Sequence, residues 1–226
     1  MSNISKELSN LSPEKRELLE LMLEEEGIKV DSALILPQER HWNQELGGYQ
    51  MPMSFAQQRL WFLNQFSPDS PLYNLPTAIR LEGDIDVDLF EKSINAIISR
   101  HETLRTGFSD ISGEGYQRIY PELAYILPIV DLSSYSEKEK TNRVEQIITD
   151  EAQTPFSLSD APLYRLKLLK INPNEHIFIL VMHHILSDGW SMGVLIRETV
   201  QVYHDLQNGT PISLNELSIQ YADFAV

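Results

Sequence analysis

The stretch that decides the fold is Met182-His183-His184-Ile185-Leu186-Ser187-Asp188-Gly189-Trp190-Ser191. Residues 176–181, immediately before it, are almost all apolar, which predicts a buried strand. After it, apolar residues recur at helical spacing from Trp190 to Asn208. The histidine pair and the Asp-Gly pair therefore lie in a loop between a strand and a helix. Loops held by a rigid scaffold are where catalytic groups concentrate, so this loop is the first candidate for a functional site.

The two adjacent histidines are expected to have different roles. Side chains alternate along a strand, so His183 and His184 point to opposite sides and only one of them easily enters a given pocket. The other histidine is expected to support the turn. A pair of structural histidines beside a helix cap is the plain alternative. The strand, the histidine pair, Asp188, Gly189 and the helix occur here together, however, and this combination is far more specific than a histidine pair alone.

The composition bounds the class of protein. The chain has 226 residues, enough for one large domain or two small ones, and its 42% of hydrophobic residues can form a core. A formal net charge of -15 argues against nucleic acid and anionic membranes as partners, because phosphate binding needs clustered Lys and Arg. The sequence contains no cysteine, no run of ~18 apolar residues and no signal-peptide core. A cytoplasmic protein without thiol chemistry is therefore expected.

The first 50 residues differ in pattern from the rest of the chain. Ser12 as N-cap and Pro13 at the first helical position predict a helix that ends at Gly27. Residues 28–50 show no sustained period, which indicates a linker. We therefore predict an N-terminal helix and a linker or docking region over residues 1–50. A helix that packs on its own domain is the alternative.

Residues 51–226 predict a fold that mixes strands and helices. Ser54 and Gln57 form a capping-box pattern at the start of one helix, and Asp86 caps a second. Further helices are predicted at 136–154 and 190–208, and strands at 77–81, 104–111, 116–120, 126–130, 163–171 and 176–181. This order predicts an α/β or α+β fold, with a mixed β-sheet and flanking helices.

Three further segments accompany the histidine loop: residues 54–63 read SFAQQRLWFL, residues 100–108 read RHETLRTGF, and residues 221–226 read YADFAV. Together with the H-H-x-x-x-D-G pattern of residues 183–189, they resemble motifs of the condensation domain of nonribosomal peptide synthetases, in the same order. The resemblance implies a chloramphenicol acetyltransferase-like half-fold. It also implies that residues 51–226 are the N-terminal lobe of such a domain, with the second lobe absent from this chain.

The resemblance implies a reaction in which two carrier-bound substrates are joined. The amine of an aminoacyl acceptor attacks the thioester of the donor, and an amide forms. His184 matches the second histidine of the signature, the position usually assigned to catalysis. It is expected to take the proton as a general base, since an imidazole titrates near neutrality, or else to orient the amine. Gly189 is expected to let the backbone approach the reacting carbonyl and donate its N–H there, with a plain turn glycine as the alternative.

The other motif residues are expected to support the site. His183 is assigned to loop structure, and Asp188 suits an N-cap or a member of a buried ion pair. His101 is expected to be a core histidine with satisfied hydrogen bonds. Ion pairs near the site, rather than contact with substrate, are expected for the motif arginines: Arg59, Arg100 and Arg105.

The expected partners follow from the same resemblance. Substrates are expected to arrive on the phosphopantetheine arms of an upstream donor and a downstream acceptor carrier protein, while the domain itself binds no cofactor or metal. A second condensation lobe and an adenylation domain are the expected neighbours. The segment Arg59-Leu60-Trp61 favours a domain that accepts L-configured donors.

Two alternatives from other classes stay open. One is a freestanding acyltransferase that uses CoA or carrier thioesters. The other is a catalytically inert carrier-docking fragment, and this chain in isolation is expected to be inactive even if the first interpretation is correct.

Overall fold

Two four-stranded sheets organise the chain from Glu39 to Val226. The structure is a computed structural model that describes residues 35–111 and 113–226. The helix predicted at residues 12–27 lies outside the described residues. Within the described residues, every helix is too short or too polar to cross a membrane.

The elements follow one another in the order that the sequence predicted, with two additions at the start. In chain order they are β1 (His41–Asn43), β2 (Gly48–Pro52), α1 (Phe55–Phe66), β3 (Asn74–Glu82), α2 (Val87–Arg100), β4 (Thr106–Ile111), β5 (Glu114–Ile119), β6 (Ile129–Asp131), α3 (Glu137–Gln153), β7 (Tyr164–Asn172), β8 (Glu175–His183) and α4 (Gly189–Gln207). Short 3-10 helices span Glu102–Arg105 and Tyr221–Ala225.

The larger sheet has the strand order β3-β8-β7-β6 and carries the histidine loop at one end. Strand β6 runs parallel to β7, and the other pairs are antiparallel. The central strand β8 is buried from His176 to His183, as the apolar run predicted, because helices cover both faces of the sheet. On one face Phe90 of α2 packs edge-on against Phe178, with ring centroids 5.1 Å apart. On the other face Glu151 of α3 binds Arg165 and Lys167. The predicted mixed sheet with flanking helices is confirmed.

The smaller sheet corrects the prediction of a linker over residues 28–50. Its strand order is β1-β2-β5-β4, all antiparallel, and β1 and β2 lie within or across the end of the predicted linker. Strands of three and five residues are too short to show a period, so the sequence pattern missed them. These two strands are held in place by residues that lie far along the chain. Met51 pairs with Gln117 in β5, and Arg40 binds the carboxylates of Glu102 and Asp223, each at 2.7 Å.

The second motif joins the two sheets. Gly107 in β4 has no side chain, and an added Cβ would lie 2.9 Å from the carbonyl oxygen of Ser159. The next residue, Phe108, donates its backbone N–H to the carbonyl of Leu158 at 2.7 Å. The glycine therefore allows the loop that precedes β7 to lie directly on the smaller sheet.

The opening motif is held by a chain of buried polar groups. The predicted capping box is present: the Ser54 hydroxyl accepts from the Gln57 N–H at 3.3 Å, and the Gln57 amide oxygen accepts from the Ser54 N–H at 2.9 Å. Gln57 also donates to the side chain of Gln117 in β5 at 3.2 Å, and Gln117 donates to the carbonyl of Pro52 at 2.7 Å. Gln57 and Gln117 are 2% and 1% exposed, so these bonds form away from water. They fix α1 to the smaller sheet.

We expect Gln57→Ala to lower the free energy of unfolding by about 2 kcal/mol, because it removes half of the capping box and leaves the buried side-chain oxygen of Gln117 without its donor. Gln65→Ala, at an exposed position of the same helix, is the matched control and should change stability by less than about 0.5 kcal/mol. Urea unfolding followed by tryptophan fluorescence measures both. Equal midpoints for the two variants would contradict the structural role of Gln57.

Candidate active site

The histidine loop is fixed at the end of the larger sheet by both neighbours of β8. Strand β3 pairs with β8 until Asn74 lies opposite His183, and the His184 N–H then donates to the carbonyl of Tyr73 at 2.8 Å. On the other side, the His183 N–H donates to the carbonyl of Leu163 at 2.9 Å. His183 is therefore the last residue of β8, and His184 begins the turn while its N–H is still held by the segment before β3.

His183 lies in the core of the protein. It is 2% exposed, and its ring lies between those of Phe156 and Tyr73, with centroids 6.2 and 6.1 Å away. Its Nδ1 accepts a hydrogen bond from the Ile185 N–H at 3.1 Å. Burial, with a smaller contribution from the neighbouring His184, lowers the pKa of His183 to about 4. The ring is thus neutral at pH 7 and holds the first turn of the loop.

His184 has the opposite environment. Its side chain is exposed, and its Nδ1 lies 2.7 Å from the carbonyl oxygen of Ser187. A carbonyl oxygen only accepts, so Nδ1 carries the proton in the neutral ring and Nε2 keeps its lone pair. This tautomer is the one that a general base requires.

Asp188 is the N-cap of α4. One of its carboxylate oxygens accepts from the Ser191 N–H at 2.8 Å and from the Ser191 hydroxyl at 2.7 Å. These bonds hold the pKa of Asp188 below its usual range. The carboxylate is exposed and makes no ion pair with any residue that the structure describes. Of the two roles expected for Asp188, the structure contains the N-cap.

Gly189 is the first residue of α4, and apart from its chain neighbours and its own helix backbone no described atom lies within 4 Å of the position of an added Cβ. Its φ is not in the left-handed region, so the backbone conformation of this residue does not by itself require glycine. The N–H groups of the first helical turn have no partner within the helix. The space and the free donor are both compatible with the predicted approach of a reacting carbonyl, although Gly189 does not line the groove described next.

His184 opens into a groove of about 430 Å³. The groove is formed by the first turns of α1, the turn before β3, the histidine loop and the C-terminal 3-10 helix. The side chains that line it include Gln57, Arg59, Leu60, Tyr73, His184, Asp188, Ser191 and Tyr221. The Ser54 hydroxyl and the Tyr221 hydroxyl lie 3.0 Å apart, which links the first and fourth motifs at its wall.

The three motif arginines have three different environments. Arg59 lies in the groove with His184, is exposed, and makes no ion pair with the described residues, contrary to expectation. Arg100 forms the expected ion pair, with Glu198 of α4 at 3.1 Å, and His101 lies 2.7 Å from the same carboxylate. Arg105 donates to the carbonyl of Tyr120, and burial lowers its pKa. Arg105 is not among the groove residues, so of the three only Arg59 lines the groove beside His184.

Tyr73 is the groove residue that sequence reasoning missed. Its backbone binds His184 and its side chain lines the groove, yet it lies more than 100 positions earlier in the chain. The only signal was its place just before a predicted strand. The pairing of that strand with β8 was not predictable from either segment. The described residues contain no group of three or more His, Asp or Glu side chains arranged to hold a metal ion.

Comparison with known proteins agrees with this geometry. Residues 49–226 match the family described as Condensation domain. The chain is 47% identical over 175 residues to a linear gramicidin synthase polypeptide of Brevibacillus parabrevis, a match that covers 77% of this chain and 2% of the relative. It is 39% identical over 175 residues to tyrocidine synthase 3 of the same organism, again with 77% and 2% covered. The chain therefore spans only a small part of these curated relatives.

Solved structures give the same fold. The starter condensation domain of rhizomide synthetase RzmA superposes with a TM-score of 0.68 at 28% identity, covering 75% of this chain and 42% of the solved one. The first condensation domain of the CDA synthetase has the same TM-score at 21% identity, covering 74% and 42%, and supports the fold alone. The family match over most of the chain, the motif order and the histidine loop lead to one conclusion: the chain belongs to the condensation-domain family.

Proposed function

We propose that this chain supplies the histidine-bearing half of a condensation domain that forms amide bonds between carrier-bound substrates in nonribosomal peptide synthesis. The observation that carries the proposal is the environment of His184. Its Nδ1 is engaged by the Ser187 carbonyl, and its side chain lines an open groove large enough for substrate. A nitrogen lone pair held in this way accepts a proton without rearrangement of the loop.

In the proposed reaction, His184 takes a proton from the attacking amine. The acceptor amine attacks the thioester carbonyl carbon, a C–N bond forms, and the tetrahedral intermediate carries an ammonium and an oxyanion. Nε2 of His184 takes the ammonium proton, the C–S bond breaks, and the departing thiolate receives that proton. General-base catalysis of this kind contributes a factor of ~10²–10⁴ in rate. Orientation of the amine by the same nitrogen is the competing role of His184.

The other site residues have supporting roles in this proposal. Asp188 fixes the start of α4, and His183 fixes the turn beneath His184. Gly189 donates its N–H towards the developing oxyanion and leaves space for it. Arg105 supports the smaller sheet from its position next to β5. Arg59, the cation of the groove, contacts substrate, which replaces the ion pair expected from the sequence.

The family membership suggests the surroundings in which the chain works. We infer that residues 39–226, with β1 and β2 included, belong to the N-terminal lobe of a condensation domain, and that the linker or docking region is confined to residues 1–38. The family match over residues 49–226 and the coverage of 42% of a solved condensation domain support one lobe of the domain. The partners are a donor and an acceptor carrier protein, which present substrates on phosphopantetheine arms in the cytoplasm. The proposed preference of the domain for L-configured donors is based on residues 59–61 alone.

The histidine assignment is tested in the full reading frame that encodes this sequence, with a donor thioester and an aminoacyl acceptor loaded on carrier proteins. We expect His184→Ala to lower the single-turnover rate of amide formation by about 10²–10⁴-fold, because the proton acceptor is lost. Intact-protein mass spectrometry of the carriers measures the product. A near-normal rate for His184→Ala would remove this histidine from the mechanism.

The pH dependence of that loss separates the two roles of His184. If the histidine is a general base, raising the pH from 7 to 9 should partly restore the rate of His184→Ala, because hydroxide replaces it. An equal loss at both pH values would favour orientation of the amine. If CoA thioesters alone are turned over and loaded carriers are not, the alternative of a freestanding acyltransferase replaces the proposal.

His183 should affect stability rather than chemistry, and its effect should depend on pH. Its pKa is about 4 in the folded state and ~6.5 when unfolded, so the unfolded state binds the proton more readily. The stability that the neutral ring provides is present above pH 6.5 and is lost as the pH falls towards 4, a decrease of about 3 kcal/mol. We expect His183→Asn, which retains an acceptor for the Ile185 N–H, to flatten the unfolding free energy between pH 7 and pH 4. An unchanged slope in urea titrations would contradict this account.

Asp188 should behave as a helix cap and not as a member of a buried ion pair. We expect Asp188→Ala to cost about 1 kcal/mol of stability, and Asp188→Asn, which keeps a capping oxygen, to cost less. Because the pKa of Asp188 is lowered in the folded state, the carboxylate stabilises the protein above about pH 4, and this contribution is lost as the pH falls through the folded value. Melts of both variants at pH 7 and pH 2.5 measure this. A loss of 3 kcal/mol or more at pH 7 would point to an uncompensated buried charge instead.

A further inference from the structure

Four of the described side chains that line the groove around His184 carry a hydroxyl: Tyr73, Ser187, Ser191 and Tyr221. Three of these hydroxyls are already engaged or enclosed. The Ser191 hydroxyl donates to the N-cap carboxylate of α4 at 2.7 Å, and the Tyr221 hydroxyl lies 3.0 Å from the Ser54 hydroxyl. The Ser187 hydroxyl is enclosed by the surrounding protein, so a ligand in the groove does not reach it.

The fourth hydroxyl, that of Tyr73, is open. It has no hydrogen-bond partner among the described residues, yet it is not one of the polar atoms that those residues enclose. The side chain is half-buried and lines the groove together with His184. A phenol hydroxyl can donate one hydrogen bond and can also accept. A ligand that binds here therefore gains a hydrogen bond without breaking one within the protein.

The backbone and the ring of Tyr73 are both fixed. The Asn74 N–H donates to the Pro71 carbonyl at 2.9 Å, which closes a four-residue turn with Tyr73 at its third position. The Tyr73 carbonyl accepts from the His184 N–H at 2.8 Å, and the ring lies 6.1 Å from that of His183. The hydroxyl is therefore held in a constant position relative to the histidine loop, and little side-chain freedom is lost when it binds a ligand.

The groove already contains hydrogen-bond acceptors, so the hydroxyl serves as a donor. Nε2 of His184 and the Asp188 carboxylate supply acceptors, while the Arg59 guanidinium and the Tyr73 hydroxyl supply donors. Both substrates of the proposed reaction bring carbonyl oxygens, in their thioesters and in the amides of their phosphopantetheine arms. A carbonyl oxygen that leaves water for the groove needs a donor, because an unpaired polar group costs free energy.

We propose that Tyr73 is a substrate-binding residue, whose hydroxyl donates a hydrogen bond to a carbonyl oxygen of a carrier-bound substrate and positions that substrate beside His184. This inference rests on the proposed function, since it is the amide-forming reaction that brings carbonyl groups into the groove. The backbone bond between the two residues couples the positioning group directly to the proton acceptor.

The test measures amide formation in the full reading frame that encodes this sequence, with the carrier-bound donor and acceptor varied in turn. We expect Tyr73→Phe, which keeps the ring beside His183, to raise the KM of one of the two substrates about fivefold, the value of one neutral hydrogen bond. The kcat should change by less than about twofold, because a bond made equally in the ground state and the transition state affects KM alone. The substrate whose KM rises is the one whose carbonyl the hydroxyl binds.

Three comparisons separate this role from a structural one. Tyr116→Phe removes the hydroxyl of a β5 tyrosine outside the groove and should change neither KM nor kcat. In a His184→Ala background, Tyr73→Phe should raise the same KM by the same factor, because positioning does not require proton transfer. The urea midpoint of Tyr73→Phe should equal that of the unaltered protein, since the hydroxyl binds no described residue.

Three outcomes would overturn the proposal, each in a different way. If amide forms and Tyr73→Phe changes neither KM, the hydroxyl does not bind substrate, although the proposed function stands. If kcat falls while both KM values are unchanged, the hydroxyl acts in the transition state and does not position the bound substrate. If the unaltered protein forms no amide from loaded carriers, the proposed function fails and the role of Tyr73 fails with it.

Discussion

The structure depends on the burial of β8 between two layers of helices. A strand that is buried on both faces must satisfy every backbone group within the sheet, and β8 does so through β3 on one side and β7 on the other. Backbone hydrogen bonds continue just beyond the ladder, since the His183 N–H donates to the Leu163 carbonyl and the His184 N–H donates to the Tyr73 carbonyl. The position of the catalytic candidate is thus a consequence of sheet pairing rather than of loop conformation.

The helix that follows the loop is fixed at its first turn and again near its middle. At its start, Asp188 caps it through Ser191. Further along, Glu198 accepts from Arg100 and lies within hydrogen-bond distance of His101, two residues of the second motif. Asn74, which lies opposite His183, donates to the carbonyls of Ala152 and Thr154 at the end of α3, each at 2.8 Å. The second motif is therefore tied to the helix that follows the histidine loop, although Arg100 and His101 do not line the groove themselves.

The sequence predicted the parts of the fold that depend on residues close to one another in the chain. The apolar run of β8, the Ser54–Gln57 capping box and the Asp86 cap each depend on neighbours within a few residues, and all are present. It missed what depends on distant partners: β1 and β2, the division into two sheets, and Tyr73 in the groove. The same limit explains the arginines. A motif identifies Arg59 as a site residue, but only the tertiary structure places it in the groove, without an ion pair to the described residues, and places Arg105 elsewhere.

His183 and His184 are adjacent in the chain, yet their side chains lie in two different environments. Both residues use Nδ1 in a hydrogen bond, yet His183 accepts from an N–H whereas His184 faces a carbonyl. In the neutral rings, the first bond places the proton of His183 on Nε2 and the second places that of His184 on Nδ1. Burial then keeps His183 uncharged, while His184 presents its lone pair to the groove. The alternation of side chains at the end of a buried strand is sufficient to place one histidine in the core and the next in the groove.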